Sequence, residues 1–219
     1  MTPTHGLGRL PFVADPRDFP LRTLLDALPP AAPVTRHWPD SQPVLNQQAT
    51  GHCVGFGCAQ WGNTLPIDDH YRDADGHALY YESLKAGGQP RGEDGSQVRW
   101  GMKALARRGR TLSYHRAASY AEALAWVRNA GGGSVIIGVN WYAGMSRPSA
   151  SGLIHATGKL LGGHCLLMSG ADSTSAYLLN SWGPLWGVNG SCHVTHADMG
   201  SLIDRDGGEC WVATERTLT

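Results

Sequence analysis

The chain has 219 residues, enough for one sizeable domain or for two small lobes that share a core. Lysine plus arginine and aspartate plus glutamate both number 18, which argues against nucleic acid or an anionic membrane as the main partner. We find no signal peptide at the start of the sequence and no run near the ~18 apolar residues of a membrane span, so we expect synthesis in the cytoplasm. The five cysteines form no CxxC pair, so we expect neither a structural zinc site nor a dense disulfide framework.

Apolar periodicity and turn residues divide the chain into three parts. Residues 1–40 are rich in proline and are predicted to form an N-terminal arm with one short helix in 18–28. Residues 41–112 are predicted to be a helical lobe, and residues 113–219 a β-rich lobe that begins with a helix capped by Ser119. The pattern indicates an α+β protein with two lobes in one domain. The predicted helices of the helical lobe are 53–65, 76–88 and 94–109, and the predicted strands are 134–142, 164–171, 176–182, 191–196 and 210–215.

Cys53 lies where a loop enters the first helix of the helical lobe. Backbone N–H groups at a helix N-terminus favour a thiolate and can lower the pKa of a cysteine below ~8.5. Gln47, six residues earlier, can offer its side-chain amide beside the N–H of Cys53, and together they would form an oxyanion hole. Free cysteine is also among the most buried residue types, so a packing role for Cys53 is the competing interpretation.

His164 is predicted at the head of an apolar strand, after two glycines that leave room for another group to approach its ring. Asn180, on the next predicted strand, can accept a hydrogen bond from one ring nitrogen and present the other to a thiol. Trp182 would project to the same face as Asn180 and cover this bond from water. Its ordinary alternative is a core aromatic residue.

Three segments in this order resemble motifs of the papain-like cysteine peptidases: PVLNQQATGHCVGFG (43–57), GGHCLLMSGA (162–171) and LNSWGPLWGVNGS (179–191). The resemblance covers roughly residues 15–214 and is closest to short bacterial and phage members without a long propeptide. It implies a helical lobe and a β-barrel-like lobe with the active-site cleft between them. It also implies that Cys53 is the nucleophile, that His164 carries the proton, that Asn180 orients His164, and that Gln47 holds the oxyanion.

The same resemblance implies a set of substrate-binding residues. Gly95 and Ser96 would form the edge that hydrogen-bonds a peptide backbone, as in β-strand recognition. Val98 would line the pocket for the second side chain before the scissile bond, with helix core as an equal alternative, and Gly163 and Trp182 would border the cleft. Residues 1–14 lie either across the cleft as a short plug or on the surface as a tail.

The resemblance implies a cysteine endopeptidase that cleaves peptide or protein substrates through a covalent acyl-enzyme, with no metal or cofactor. Two alternatives stay open: a peptidoglycan peptidase, and a papain-fold structural or binding component of a phage particle with little activity. Cys192 and Cys210 are predicted on neighbouring strands, where they would either pair or remain buried thiols.

Overall fold

The computed structural model of the chain describes residues 5–29, 34–89 and 95–215. Within these residues the chain forms six α-helices and eight β-strands. None of these helices is long and apolar enough to cross a membrane. In chain order the elements are β1 (Phe19–Pro20), α1 (Arg22–Leu25), β2 (Arg36–His37), α2 (Cys53–Asn63), α3 (Asp73–Gly87), α4 (Val98–Arg107), β3 (Thr111–Arg116), α5 (Tyr120–Arg128), β4 (Val135–Tyr142), β5 (Leu160–Ala171), β6 (Ser175–Leu179), β7 (Ser191–Thr195), α6 (His196–Asp204) and β8 (Glu209–Glu215).

All eight strands belong to one sheet with the order β1-β3-β8-β4-β5-β6-β7, and β2 pairs with β5 beside this path. The pairings are antiparallel except that of β1 with β3, which is parallel. The α+β class is therefore confirmed. No pairing among the described residues joins β1 to β7, so the sheet is open and is not the closed barrel-like arrangement that the resemblance implied.

The sheet separates two hydrophobic clusters. Successive side chains of a strand point to opposite faces, so Ile136 of β4 packs with α2 and α4, while Ile137 packs with α5 and α6. Two glycines let α2 lie close to its neighbours: a Cβ on Gly57 would lie 2.8 Å from Cys165 Sγ of β5, and one on Gly55 would lie 2.3 Å from a backbone oxygen of α3. This close packing places the start of α2 against β5.

Several elements differ from the sequence predictions. The strand of His164 begins at Leu160, so His164 lies inside β5 and not at its head. The helix predicted at 94–109 begins at Val98, and residue 94 lies outside the described residues. Strands β1, β2 and β3 and helix α6 were not predicted. The three-part division at residues 40 and 112 stays a prediction, although β1 and β2 of the arm join the sheet.

The prediction that Cys192 and Cys210 lie on neighbouring strands is wrong. Cys192 lies on β7 and Cys210 on β8, and strands β4, β5 and β6 separate these two strands in the sheet. All five cysteines are buried free thiols. The prediction failed because strands that are close in sequence need not pair.

Candidate active site

Cys53 is the first residue of α2, as the sequence predicted, and its side chain is fully buried. Backbone N–H groups of Val54, Cys165 and Gly8 face its sulfur and lower the pKa of the thiol, as does the positive charge of Arg9. Burial has the larger, opposite effect and raises the pKa of Cys53 to about 11. The lowered pKa expected from the helix N-terminus is therefore not found in this structure, in which Cys53 is a neutral thiol.

His164 and Asn180 form the predicted hydrogen bond, with His164 Nε2 2.8 Å from Asn180 Oδ1. The same amide oxygen accepts from the backbone N–H of Ser181 at 2.8 Å, which fixes its orientation. Because an amide oxygen only accepts, Nε2 carries the hydrogen and Nδ1 of the neutral ring keeps its lone pair. Nδ1 is buried and has no hydrogen-bond partner among the described residues. The ring is thus held as a base, on the strand whose next residue, Cys165, directs its N–H at the Cys53 sulfur.

Two tryptophans enclose the imidazole. Trp182 stacks on His164 with ring centroids 4.7 Å apart, and Trp141 meets the ring edge-on at 5.0 Å. The contact of Trp182 agrees with its predicted covering role, whereas Trp141 was not recognised from the sequence. The enclosure excludes water and strengthens the bond between His164 and Asn180. Burial lowers the pKa of His164 to about 4, although its hydrogen bond with Asn180 acts in the opposite direction.

The lowered pKa of His164 predicts acid sensitivity of the fold. The unfolded ring binds a proton near pH 6.5 and the folded ring only near pH 4, so this group stabilises the fold fully above pH 6.5 and its contribution is lost as the pH falls from 6.5 to 4. Glutamine cannot be protonated in this range. We therefore expect the free energy of unfolding to fall less in His164→Gln than in wild type between pH 6.5 and pH 4, with a difference of up to ~3 kcal/mol. Urea unfolding at pH 7 and pH 4.5 measures the difference. Equal losses in both proteins would contradict the expectation.

Gln47 is fully buried, and its amide is oriented by a residue that the sequence analysis missed. Ser181 Oγ donates to Gln47 Oε1 at 2.6 Å, and the backbone N–H of Gln47 donates to the Ser181 carbonyl at 2.8 Å. The amide nitrogen Nε2 therefore points away from Ser181 and donates to the Gly6 carbonyl at 3.1 Å and to the Thr50 carbonyl at 2.7 Å. A bound carbonyl oxygen beside Nε2 is what an oxyanion hole requires. The only sequence signal for Ser181 was its place between Asn180 and Trp182.

The oxygen bound by Gln47 belongs to the N-terminal segment, which we define as residues 5–10. The N–H groups of Gly8 and Arg9 both donate to the Gly163 carbonyl at 3.0 Å. Ser96 donates its N–H to the Gly8 carbonyl at 2.8 Å, and its carbonyl accepts from the N–H of Leu10 at 2.9 Å. Of the two alternatives for residues 1–14, residues 5–10 therefore follow the first and lie across the site, whereas Pro11, Val13 and Ala14 are exposed.

The segment approaches so closely that three positions have no room for a side chain. A Cβ on Gly6 would lie 1.8 Å from the Thr50 carbonyl oxygen, and one on Gly8 would lie 2.0 Å from the Gly51 carbonyl oxygen. On β5, a Cβ on Gly163 would lie 2.1 Å from the carbonyl oxygen of Arg9. Glycine at these three positions is therefore what allows the two backbones to approach so closely.

The residues predicted to bind substrate lie around this segment. Ser96 uses both backbone groups to bind it, whereas the N–H of Gly95 donates to the hydroxyl of Tyr80 at 3.1 Å and not to the segment. A Cβ on Gly138 of β4 would lie 2.9 Å from both Val98 Cγ2 and the Nε atom of Arg9, so Val98 borders the Arg9 side chain. Trp182 stacks on His5 of the segment at 4.4 Å. Their roles toward a substrate stay predictions.

The described ranges contain no group of three or more His, Cys, Asp or Glu side chains that could hold a metal ion. The chemistry available at the site is that of a buried thiol, an oriented imidazole and an amide donor.

Comparison with solved structures shows that the chain has the papain-like fold. It is similar to xylellain, a cysteine protease from Xylella fastidiosa, with a TM-score of 0.75, 20% identity, and coverage of 98% of this chain and 97% of that one. It is also similar to bromelain from Ananas comosus in complex with the E64 inhibitor, with a TM-score of 0.62, 14% identity, and coverage of 84% and 100%. No protein-family model matches the chain, and no curated protein matches it in sequence.

Proposed function

We propose that this chain of papain-like fold is a cysteine endopeptidase that hydrolyses peptide bonds in peptide or protein substrates through a covalent acyl-enzyme. One observation carries the proposal: the imidazole of His164 is oriented by Asn180, its buried Nδ1 has no hydrogen-bond partner in the part of the chain that the structure describes, and it lies on the strand that directs a backbone N–H at Cys53. A structural protein would have no need to leave a buried ring nitrogen unpaired, because that costs free energy.

The proposed reaction begins when His164 Nδ1 takes the proton from Cys53 Sγ. The thiolate attacks the substrate carbonyl carbon, and the resulting oxyanion accepts hydrogen bonds from Gln47 Nε2 and from the N–H of Cys53. The C–N bond then breaks, and the imidazolium of His164 gives its proton to the leaving amine. Water attacks the thioester with His164 as base, which releases the acid and restores the thiol. Asn180 keeps the tautomer of His164 correct throughout.

The N-terminal segment prevents this reaction from starting while it lies across the site. Its Gly6 carbonyl occupies the hydrogen bond from Gln47 Nε2 that the proposed oxyanion would use, its Gly8 N–H faces the Cys53 sulfur, and both Cys53 and His164 are fully buried. The raised pKa of Cys53 and the lowered pKa of His164 both favour the neutral pair, so an ion pair is disfavoured in this closed state. The proposed enzyme therefore becomes active when the segment leaves the cleft.

Trapping of the acyl-enzyme tests the proposal. A peptide p-nitrophenyl ester is mixed with Gly8→Ala, in which the added Cβ would lie 2.0 Å from the Gly51 carbonyl oxygen and displaces the segment. The reaction is quenched in acid, and the digested protein is analysed by mass spectrometry. We expect the acyl mass on the Cys53 peptide, and no such mass in Cys53→Ala. Absence of the acyl group from a protein whose segment has been displaced would contradict the proposal.

A substrate comparison then separates the alternatives. Cleavage of casein without release of peptides from purified cell wall supports the endopeptidase. Release from cell wall alone would replace it with the peptidoglycan peptidase, and no hydrolysis of either would favour the phage structural component.

A further inference from the structure

A cavity of about 240 Å³ lies at the far end of α2 from Cys53. Trp61, which lines it, is about 12 Å beyond Cys53 along the helix axis. Trp126 of α5 lines the cavity from the other face of the sheet, since the two tryptophans belong to different hydrophobic clusters. Pro66 and the loop 131–133 also border it. The cavity is thus formed where the two packed faces of the sheet meet, and the residues that line it take no part in the proposed reaction.

The indole N–H of Trp126 is a buried donor beside this cavity. Trp126 is 7% exposed, and its Nε1 has no hydrogen-bond partner among the described residues. Gly133 leaves space next to this nitrogen, because a Cβ built on Gly133 would lie 3.8 Å from Trp126 Nε1, an ordinary contact distance. Both residues line the cavity, so the N–H group borders its interior. Buried polar groups of folded proteins are usually paired, and a ligand that carries an acceptor would complete this pair.

The walls of the cavity define the kind of ligand that fits. None of the described residues that line it is Asp, Glu, Lys, Arg or His, so a charged group would lose its hydration without gaining a counter-ion. The rings of Trp61 and Trp126 offer aromatic surface, which favours a flat ring. A cavity of ~150 Å³ accommodates benzene. The present volume therefore has room for one such ring with a small substituent, and the N–H of Trp126 selects a substituent with an acceptor, such as a carbonyl group.

We propose that this cavity is a binding site for a neutral small molecule that consists of one aromatic ring and a carbonyl group. Trp126 Nε1 donates to the carbonyl oxygen, and the ring packs against Trp61. The inference goes beyond the proposed function and does not depend on it, because neither the catalytic pair nor the N-terminal segment contributes a residue to the cavity.

Two ligands of nearly the same shape test the hydrogen bond. Acetophenone carries a carbonyl oxygen, and α-methylstyrene has a methylene group in its place. The full chain with ¹⁵N-labelled tryptophan is titrated with each ligand and observed by NMR at the indole N–H resonances. The resonance of Trp126 is assigned from its nuclear Overhauser effects to Gly133. We expect acetophenone to shift this resonance downfield with a Kd of about 1 mM or tighter, as is typical of so small a ligand, and α-methylstyrene not to cause the downfield shift.

Substitutions then assign the preference to the indole N–H. Trp126→Phe keeps an aromatic ring without the donor, and it should weaken acetophenone at least ~5-fold relative to α-methylstyrene, with both affinities measured by ligand-detected NMR. Gly133→Ala, which places a methyl group beside Nε1, should also weaken acetophenone, whereas the matched control Gly200→Ala, on α6 outside the cavity, should not.

The outcomes that contradict the inference are equally defined. A Trp126 resonance that does not move at 10-fold excess over the expected Kd, roughly 10 mM acetophenone, would overturn it. Equal weakening of both ligands by Trp126→Phe would also overturn it, since the donor would then contribute nothing. The wild-type titration needs no substitution, so it decides the matter even if a variant does not fold.

Discussion

Replacement of Gly8 by alanine is expected to raise the rate of peptide hydrolysis by roughly 30- to 100-fold, because the variant releases about 2–3 kcal/mol of contacts that hold the segment in the cleft. The added Cβ would lie 2.0 Å from the Gly51 carbonyl oxygen, and a backbone atom cannot move aside as a flexible side chain can. The bonds of Gly8 with Gly163 and Ser96 then break, and the population of the open cleft increases. Hydrolysis of a fluorogenic peptide at saturating and limiting concentrations measures the change.

A matched glycine-to-alanine change controls for general effects on the chain. Gly200 lies on α6, where an added Cβ would meet its nearest neighbours at 3.7 Å, an ordinary contact. Gly200→Ala should therefore keep the wild-type rate. Equal rates for Gly8→Ala and wild type, with an unchanged free energy of unfolding, would show that the segment does not limit access to Cys53.

Replacement of His164 by alanine is expected to lower kcat by about 10³-fold or more, since base catalysis and leaving-group protonation are lost together. Asn180→Ala should have a smaller effect, of the order of 10- to 100-fold, because the base remains but its tautomer and orientation are no longer held. Both are measured in the Gly8→Ala background, in which the cleft is open. His70→Ala, at an exposed position, serves as the matched control and should keep its activity. An Asn180→Ala variant as active as its parent would contradict the assigned role.

The site residues that belong to local sequence motifs could be predicted, whereas the residues that surround them in the structure could not. Gln47, Cys53, His164 and Asn180 belong to three short segments with characteristic spacing, and the structure brings His164 and Asn180 into contact as expected. The buried salt bridge of Arg9 with Glu209 joins the two ends of the chain, so no local pattern reports it. The pKa of Cys53 was misjudged for the same reason, because the burial that controls it comes in part from a distant segment.

The errors in the predicted fold can be traced to particular strands. Glycine is unfavourable in strands, so Gly162 and Gly163 were predicted to precede the strand, and His164 was predicted as its first residue. The strand in fact begins at Leu160. Strands β1 and β2 have two residues each, too few to show alternation. The sequence could not distinguish an open sheet from a closed barrel, because the residue pattern of a strand does not indicate which strands it pairs with or whether it lies at an edge.

The pH dependence of Cys53 alkylation tests the central claim, that Cys53 and His164 form a catalytic pair once the segment leaves. Wild type, Gly8→Ala and Gly8→Ala with His164→Ala are treated with iodoacetamide from pH 4 to 9, and the modified peptide is quantified by mass spectrometry. We predict slow labelling of wild type, rapid labelling of Gly8→Ala that persists near pH 5, and loss of that acidic labelling when His164 is also replaced. Labelling of Gly8→Ala that rises only through about pH 8.5, as for an ordinary thiol, would contradict the account.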